Sequence, residues 1–590
     1  MDRRKEKRKG RSPLPMIVAV LATIGLFALA FLAGQRMQQK LFARKTREVP
    51  TIVVLPFQNI GSREGQDLAD AMTEEIATRL ASLHELHVIG RHSSSVYAKS
   101  AATPEQIARE LNVQYVVTGS VRQENTEGGK PLVRVSPTLT KGSDGSQVWS
   151  EAYQTAPSGM FTVQAKIATQ IASSLNIPLL TPEKDAMILR PTSSPETYRK
   201  YLRGRQLIER TMQVPQLREG IELLTDATNE DPRFLKAWAQ LSIAHARMFW
   251  FSGDRTQERL DQAMVALRRA ESLEKSNPDV HLARGVLLYL GRRDLEGALN
   301  EFRQVVDARP SDVTAILYTA AINRRLGRMD VALEGWKDVT TLDPRNPANF
   351  TGRASTLMFL RRYPEAEKYV DIARSLGEDH PEAVRLKSMI ALDARGNIPE
   401  AIEHLRGARN TLPPAWFTNV LQSMTWPAVE DPDLRRYMTE AIPSRDLVSG
   451  RFYANKLKLY YYIGDSARVR AYADSAYRAL EANIRESPDP VPFYEELALV
   501  HATRGHRAEA LRAMAKADEL HPVGRDVFDG AQRDNLRVRM YTLLGDDAAA
   551  LDQMEKRVNV DGGLSPLYLR RDPIYARFIT SPRFRRIVGL

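Results

Sequence analysis

The chain has 590 residues, which is too long for one hydrophobic core, so several domains or an extended array of repeats are expected. It contains no cysteine, which excludes disulfide-stabilised folds, thiol catalysis and metal sites with cysteine ligands. The formal net charge is +12, which would suit a nucleic-acid-binding protein only if the charge covered the folded part.

The positive charge is concentrated near the N-terminus. Residues 1–47 carry twelve Lys and Arg against Asp2 and Glu6, a net charge of +10, so the remaining 543 residues carry only +2 of the total of +12. The excess flanks one apolar segment, as expected for groups that face anionic lipid headgroups. We therefore expect anionic membrane lipids, and not nucleic acid, as partners of this charge.

Residues 16–34 contain no charge and would span about 28 Å as a helix, enough to cross a bilayer core. They are predicted to form a transmembrane helix between a basic cytoplasmic stub (residues 1–15) and a basic juxtamembrane linker (residues 35–49). The alternative is a cleaved leader, because residues 28–30 read Ala-Leu-Ala. The basic flanks favour an inner-membrane anchor with a cytoplasmic N-terminus and the main part in the periplasm.

Residues 50–178 are predicted to form a small α/β domain. The apolar run 52–55 is typical of a strand buried on both faces, and further strands are predicted at 88–89 and 115–121. Two hairpins with turns at 128–129 and 142–145 follow, and helices are predicted after residue 65, at a capping box of Thr103 and Gln106, and from about Val163. A proline-rich linker, residues 179–195, ends the domain.

A repeat follows the linker. Ala298, Ala332, Ala366 and Ala401 are separated by 34, 34 and 35 residues, with glycine at turns and proline between units. The spacing predicts two antiparallel helices per unit that cross closely at the alanines and stack into a solenoid. It resembles the tetratricopeptide repeat (TPR).

About nine repeats are expected. A first part covers residues 196–415 and a second covers 450–562, with an irregular joint at 416–449 and a C-terminal capping tail at 563–590.

Segments of the α/β domain resemble the TolB-like N-terminal domain of bacterial multidomain proteins. They are residues 52–57, residues 88–95, residues 119–122, and Trp149 with Tyr153. In that family TPR repeats commonly follow, and an adenylate cyclase, a protein kinase or a winged-helix domain often precedes. Because only a short basic stub precedes the apolar segment, we expect the output domain to be missing. The expected fold class is α+β overall and mostly α, with a transmembrane helix, a TolB-like α/β domain and a TPR solenoid.

No catalytic, cofactor-binding or metal site is predicted, and we expect the protein not to be an enzyme. The loop 61–65 lacks the lysine and hydroxyl pair of a phosphate loop. His84, His87 and His92 straddle a helix end and a strand without a carboxylate that would complete a metal site. The serines 93–95 lack nucleophile-elbow glycines and are expected to bond to nearby backbone.

The concave side of the solenoid, lined by the first helix of each pair, is the predicted protein-binding surface. The doubled arginines 292–293, 324–325 and 361–362 would align as a basic stripe that grips an acidic peptide, or as a solvated edge. We expect Arg324 and Arg325 to lie outside the core and to set specificity, and Ala348 to lie on the exposed inner face. The predicted contact residues are Thr314, Leu317, Ala321, Arg324, Arg325, Ala348, Thr351, Ser355 and Met358.

These features favour a membrane-anchored, non-enzymatic TPR scaffold for protein–protein interactions in the bacterial cell envelope. The alternative is a sensory or regulatory component of a signalling system that acts with a separate output protein. A soluble periplasmic component would follow if the leader were cleaved.

Overall fold

The computed structural model describes residues 49–61, 65–125, 131–181, 183–184, 190–210, 214–251, 254–377, 380–441 and 449–590. The predicted stub, transmembrane helix and all but the last residue of the juxtamembrane linker lie outside these residues, as do the hairpin turn at 128–129 and most of the loop 61–65. Within these ranges no helix combines the length and apolar character needed to cross a membrane. Contacts divide the chain after Pro50, and the following description concerns the unit Thr51–Leu590.

The first part of this unit is a mixed sheet, which we call the sheet domain (residues 51–177). The strand order is β3-β1-β4-β5-β6, with β2 beside β4 and β7 beside β5. β1 runs parallel to β3 and β4, and β4 and β5 form a long antiparallel pair. The strands are β1 Thr51–Val54, β2 Gln58–Asn59, β3 His87–Val88, β4 Tyr115–Asn125, β5 Pro131–Lys141, β6 Gln147–Ser150 and β7 Tyr153–Thr155.

Helices cover both faces of the sheet, which explains why β1 is apolar throughout. Ile52 and Val54 pack in a core with residues of the first and last helices of the domain, whereas Val53 packs in a second core with Ile107. The predicted capping box of Thr103 is present, with the backbone N–H of Gln106 donating to its hydroxyl. The helices are α1 Gln66–Ala81, α2 Arg91–Ser95, α3 Pro104–Leu111 and α4 Met160–Ser174.

Antiparallel helix pairs follow, and we call the six pairs between residues 195 and 407 the first array. The four frame alanines, at positions 298, 332, 366 and 401, are each 0% exposed, as their assignment to helix crossings predicts. The helices are α5 Pro195–Arg210, α6 Val214–Glu230, α7 Leu235–Phe251, α8 Gln257–Leu273, α9 Pro278–Val286, α10 Leu295–Ala308, α11 Val313–Arg325, α12 Met329–Leu342, α13 Pro347–Phe359, α14 Tyr363–Ser375, α15 Pro381–Arg395 and α16 Ile398–Gly407.

Shorter helices replace the pairs at the joint, where prolines start α17 Pro414–Ser423 and α19 Pro432–Glu440 around α18 Thr425–Val429. Three more pairs, the second array, then lead to a cap built from α26 Pro566–Arg571 and α27 Pro582–Val588. The cap buries Phe578 and Phe584 against the end of the second array, where Met554 lies in the same core. The pairs are α20 Ser449–Ile463, α21 Ser466–Glu486, α22 Val491–Thr503, α23 Arg507–Leu520, α24 Val527–Leu544 and α25 Asp547–Arg557.

Candidate protein-binding surface

The turns inside four consecutive pairs of the first array share one backbone feature. Arg293, Gly327, Arg361 and Gly396 all have positive φ, at 51°, 77°, 58° and 61°. Their spacing of 34, 34 and 35 residues equals that of the frame alanines. Glycine adopts this left-handed conformation without a steric penalty, whereas another residue loses about 1–2 kcal/mol there. Arginine therefore stands at two of the four turns despite a backbone cost.

The second array and its cap lie along these four turns, which we call the turn rim. Arg293 bonds to Asp489 and Asp529. A Cβ added to Gly327 would lie 3.3 Å from Val527 Cγ2, and one added to Gly396 would lie 3.5 Å from Leu567 Cβ. At the third turn, Arg361 Nη1 donates to the carbonyl oxygen of Leu564 at 3.2 Å. Each turn of the rim thus contacts a segment more than 160 residues away in the chain.

Three arginines and three aspartates form the centre of this contact, which we call the Arg–Asp cluster: Arg255, Arg293, Arg325, Asp489, Asp526 and Asp529. Their side chains are between 8% and 28% exposed. The Arg–Asp nitrogen–oxygen distances are 2.8 Å for 255–489, 3.1 Å for 293–489, 2.6 Å for 293–529, 2.7 Å for 325–526 and 2.8 Å for 325–529. Charges balance within the cluster, which is what allows it to be largely withdrawn from water.

Aromatic rings back the arginines. The guanidinium groups of Arg255 and Arg293 each lie 4.9 Å from the centre of the Trp250 ring. Arg324 lies 4.2 Å from the centre of the Phe528 ring, and that ring stacks on Phe359 at 5.3 Å. These are cation–π distances, so the aromatic rings attract the guanidinium groups in addition to the carboxylates.

The electrostatics of the cluster follow from burial and charge pairing. Burial would raise the pKa of Asp529, but Arg325 and Arg293 outweigh it and hold that pKa well below its usual range. Burial lowers the pKa of Arg255 to about 10, only partly opposed by Asp489. Burial, with help from Arg325, likewise lowers the pKa of Arg324 to about 10. All of these groups stay charged at neutral pH.

The sheet domain is fastened to the loops that connect one pair of the first array to the next. Asp343 accepts hydrogen bonds from the backbone N–H of Ser93 at 2.9 Å and from its hydroxyl at 2.6 Å. The N–H of Arg345 donates to the same hydroxyl at 2.8 Å, and the N–H of Gly90 donates to Leu342 O at 2.6 Å. A Cβ on Gly90 would lie 2.9 Å from Asp343 Cβ, so only glycine fits this approach.

The same interface closes the β3 edge of the sheet. The hydroxyl of Ser311 accepts from the N–H of Val88 and donates to the carbonyl oxygen of Leu86, both at 3.3 Å. His84, just before this strand, bonds through Nδ1 to Glu183 Oε1 at 3.0 Å and through Nε2 to Asp307 O at 2.8 Å. The hydrogen bond to Glu183 raises the pKa of His84.

Buried carboxylates of α1 complete the interface. Glu74 pairs with Arg205 of the first array at 2.7 Å and with Arg91 at 3.2 Å. Glu75 accepts from the hydroxyl of Tyr198 at 2.6 Å. The sheet domain and the first array are therefore joined by a network of neutral and charged hydrogen bonds that is mostly shielded from solvent.

The nine predicted contact residues lie on two neighbouring first helices, α11 and α13. Thr314, Leu317, Arg324, Ala348 and Ser355 are half-buried, and the other four are at most 9% exposed. These four are Ala321, Arg325, Thr351 and Met358.

Two expectations about this surface are corrected. Arg325 is 8% exposed and ion-paired within the chain, so the expectation that it lies outside the core is wrong. Ala348 is half-buried rather than exposed. Arg325 is covered because the second array closes over the turn rim of the first array. Contact of these residues with a partner stays a prediction.

Several residues that organise this surface are not predicted from the sequence, namely Asp343, Asp489, Asp526, Asp529 and Trp250. One signal was available for the turn rim. The frame position occupied by Gly327 and Gly396 holds Arg293 and Arg361 in the alternate repeats, and a strained arginine at a glycine position indicates a contact that stabilises it. The serines 94 and 95 do bond to nearby backbone as predicted, whereas Ser93 reaches Asp343.

Comparisons with known proteins agree with the repeat assignment. A family model described as tetratricopeptide repeat matches residues 285–347 and 351–415. A protein of Rhizobium meliloti (strain 1021) named "Putative adenylate cyclase 3" is 31% identical over 248 residues, which make up 41% of this chain and 41% of that protein. The chain thus spans well under half the length of that relative.

Two solved structures are similar to parts of this chain. PilW, described as a widely conserved type IV pilus biogenesis factor, is 18% identical over 39% of this chain and 99% of its own, with a TM-score of 0.31. The human IFIT1 dimer with m7Gppp-AAAA is 15% identical over 61% of this chain and 78% of its own, with a TM-score of 0.36.

The chain is therefore a helical-repeat protein with a small sheet domain. Its repeats over residues 285–415 are tetratricopeptide repeats, a class that forms scaffolds for protein–protein interaction.

Proposed function

We propose that the protein is a non-enzymatic TPR scaffold, anchored in the bacterial inner membrane by residues 16–34, that recruits protein partners in the cell envelope. The observation that carries this proposal is the tetratricopeptide match over residues 285–415, since such repeats present a concave surface to peptides and proteins. The uncharged segment and its basic flanks support the anchor and its contact with anionic lipids. The N-terminus would be cytoplasmic and the main part periplasmic.

In this proposal the partner contacts lie on α11 and α13, at the nine residues predicted from the repeat frame. Thr314, Leu317 and Arg324 on α11 retain partial exposure, as do Ala348 and Ser355 on α13. This set is mixed in character, with one charge among small and apolar groups, which suits a protein surface better than a nucleic acid. The sheet domain, with its TolB-like segments, would hold the rim of this surface in place.

A second candidate is a sensory or regulatory component of a signalling system. The observation in its favour is the 31% identity to a protein that bears an adenylate cyclase name. Because the match covers 41% of that relative, the shared part could act here with a separate output protein. In that case the partner would be a regulator or cyclase rather than an envelope assembly protein.

Crosslinking in native membranes followed by capture of the full chain tests both proposals. Recovery of envelope assembly proteins supports the scaffold, and recovery of a kinase, cyclase or transcription regulator supports the signalling component. A reporter fused after Leu590 should be active only outside the cytoplasm, and the chain should stay with membranes after carbonate extraction. Cytoplasmic reporter activity would reverse the orientation, and release by carbonate would refute the anchor.

A further inference from the structure

We propose that the arginines of the Arg–Asp cluster form a binding site for acidic segments of partner proteins, which the second array of the same chain occupies in this structure. This inference rests on the proposed scaffold function, because it names the chemistry of a partner and the way its access is regulated. The closed chain would be the inhibited form, and an acidic partner would replace Asp489, Asp526 and Asp529.

The arrangement of the arginines fits that class of ligand. Arg255, Arg293 and Arg325 come from three consecutive pairs of the first array, so they form a row rather than a single point of charge. Trp250 lies against all three, at 4.9, 4.9 and 5.6 Å from their guanidinium carbons. Guanidinium groups next to an aromatic ring keep their N–H groups free for carboxylates, with which they can form paired hydrogen bonds. A peptide with acidic residues next to an aromatic one would reproduce what the chain itself supplies.

The segment of the second array that occupies the site in this structure indicates the sequence pattern of such a ligand. Asp526 and Asp529 begin α24 with Phe528 between them, and Phe528 inserts between Arg324 and Phe359. Asp489 comes from the loop before α22 and bonds to both Arg255 and Arg293. The site therefore recognises a four-residue pattern at the start of a helix, in which the first and fourth residues are acidic and the third is aromatic. A further acidic residue lies nearby.

The internal contact is also of a kind that can be displaced. Taking three ion pairs out of water offsets much of their mutual attraction, so the contact contributes far less than its short distances suggest. Arg293 additionally has an unfavourable backbone conformation in the closed form. Asp529 remains 28% exposed, which gives an incoming carboxylate access to the edge of the cluster. Between the two arrays, α17, α18 and α19 interrupt the series of paired helices.

Separation of the second array from the first would join the turn rim to the predicted contact surface on α11 and α13. Withdrawal of Phe528 would uncover Arg324, which is one of the nine predicted partner contacts, and the Phe359 ring at the end of α13. The acidic segment of a partner would thus take the turn rim while the rest of the partner reaches α11 and α13.

A disulfide lock gives direct control over the closed form. A Cβ at position 327 lies 3.8 Å from Val527 Cβ, which is the separation found in native disulfides. The chain has no cysteine, so the double variant Gly327→Cys/Val527→Cys carries a single possible pair. Oxidation should hold the arrays together, and reduction should release them. The two single-cysteine variants are the controls for effects of the substitutions themselves.

The probe is a fluorescein-labelled peptide with the sequence of residues 526–532, which contains Asp526, Phe528 and Asp529, tested on the full chain in detergent micelles. The variant Asp526→Asn/Asp529→Asn removes the internal competitor but keeps a good N-cap at position 526. We expect it to bind the peptide at least about fivefold more tightly than the unaltered chain. Adding Arg293→Gly should abolish that gain, and the oxidised lock should bind less than its reduced form.

Equal peptide binding by the unaltered chain, the Asn variant and both redox forms of the lock would overturn the proposal. So would equally tight binding of a peptide in which both acids are Asn, or of a single-stranded RNA of equal charge, since either would show attraction without this recognition. These measurements need no native partner and no envelope context. If the capture of partners from membranes failed, the peptide-binding result would still stand. If peptide binding failed, the captured partners would still support the scaffold.

Discussion

The first array is fastened along two rims, and the two contacts differ in kind. The sheet domain binds the loops between pairs through backbone amides and hydroxyls that meet one buried carboxylate, as at Ser93 and Asp343. At the Arg–Asp cluster, the second array binds the turns within pairs through full charges that are 8–28% exposed. Salt screens interactions between partly exposed charges, whereas hydrogen bonds among mostly neutral groups respond little to it. We therefore expect the contact with the sheet domain, which we call the fixed joint, to be insensitive to salt. We expect the contact with the second array to weaken as the salt concentration rises.

Because of the contacts along both rims, a substitution in the solenoid should affect distant repeats as well as neighbouring ones. A simple repeat array carries stability from each unit to its neighbours only. Here Arg325 is 201 residues from its partner Asp526, and Ser93 is 250 residues from Asp343. We therefore expect residues 49–590 to unfold with coupling between distant repeats as long as both rims are intact.

The largest effect is expected from Asp343→Ala, which breaks the fixed joint. The substitution leaves the N–H and hydroxyl of Ser93 without their acceptor in a site that is 3% exposed at Asp343. Loss of these buried bonds should lower the free energy of unfolding by about 3 kcal/mol, with little dependence on salt. Urea titration followed by circular dichroism measures it. Glu334→Ala removes an exposed carboxylate from α12, the helix that ends just before Asp343, and is the control that should change stability by less than about 0.5 kcal/mol.

The helix α12 lies between the two rims. Substitutions on it test whether packing inside a helix pair contributes as much to the free energy of unfolding as the contacts along the rims. Ala332 is 0% exposed at the helix crossing, so Ala332→Leu should overpack it and lower the free energy of unfolding by about 1–3 kcal/mol. Val331, its neighbour, is 56% exposed, and Val331→Leu should be nearly silent. Equal melting temperatures for the two variants would show that the repeat frame is misplaced on this helix.

A smaller effect is expected at the Arg–Asp cluster. Arg293→Gly removes bonds to Asp489 and Asp529 but also relieves an unfavourable φ, so the two changes partly offset each other. We expect a net loss of about 1 kcal/mol at low ionic strength that falls by at least about half near 0.5 M salt. Denaturation at several salt concentrations measures this, with Arg292→Ala at the exposed neighbouring position as control. A loss that does not change with salt would contradict the contrast between the rims.

The smallest effect concerns His84, an imidazole at the contact between the sheet domain and the first array. The pKa of His84 is raised in the fold from its ordinary 6.5, so its contribution is present below about pH 6.5 and is lost as the pH rises through the folded value. Glu183 has a lowered pKa, so its side of the pair is lost only as the pH falls below its ordinary 4.5.

Because the His84 side chain is 45% exposed, the contribution should stay below about 1 kcal/mol. The difference in melting temperature between the unaltered chain and His84→Gln should be larger at pH 5.5 than at pH 8.5. A difference that grows toward pH 8.5 would contradict the assignment.

Local elements could be predicted from the sequence because they depend on local periodicity. The alanine spacing predicts the helix crossings of the first array, and the run 52–55 predicts a strand buried on both faces. The capping box at Thr103 follows from two residues three positions apart. In each case the physical cause lies within one helical turn or one repeat.

The contacts along the rims could not be predicted in the same way. Which turn meets Asp526 depends on the small rotation between successive pairs, which accumulates over several repeats before the second array returns to the first. The sequence left two alternatives for the doubled arginines, a basic stripe that grips an acidic peptide or a solvated edge. It could not show that acids of the same chain, at positions 489, 526 and 529, are within reach.

The sealed edge of β3 has a consequence for synthesis of the chain. Ser311, which completes the hydrogen bonding of Val88, is 223 residues further along the chain. At about 5–20 residues per second, the ribosome needs roughly 10–45 s to deliver it after the strand has emerged. During that interval the edge presents an unpaired N–H and carbonyl, the feature by which strands pair with other chains. The two-residue length of β3 limits this hazard, and a fragment that ends before residue 195 would keep the hazard permanently.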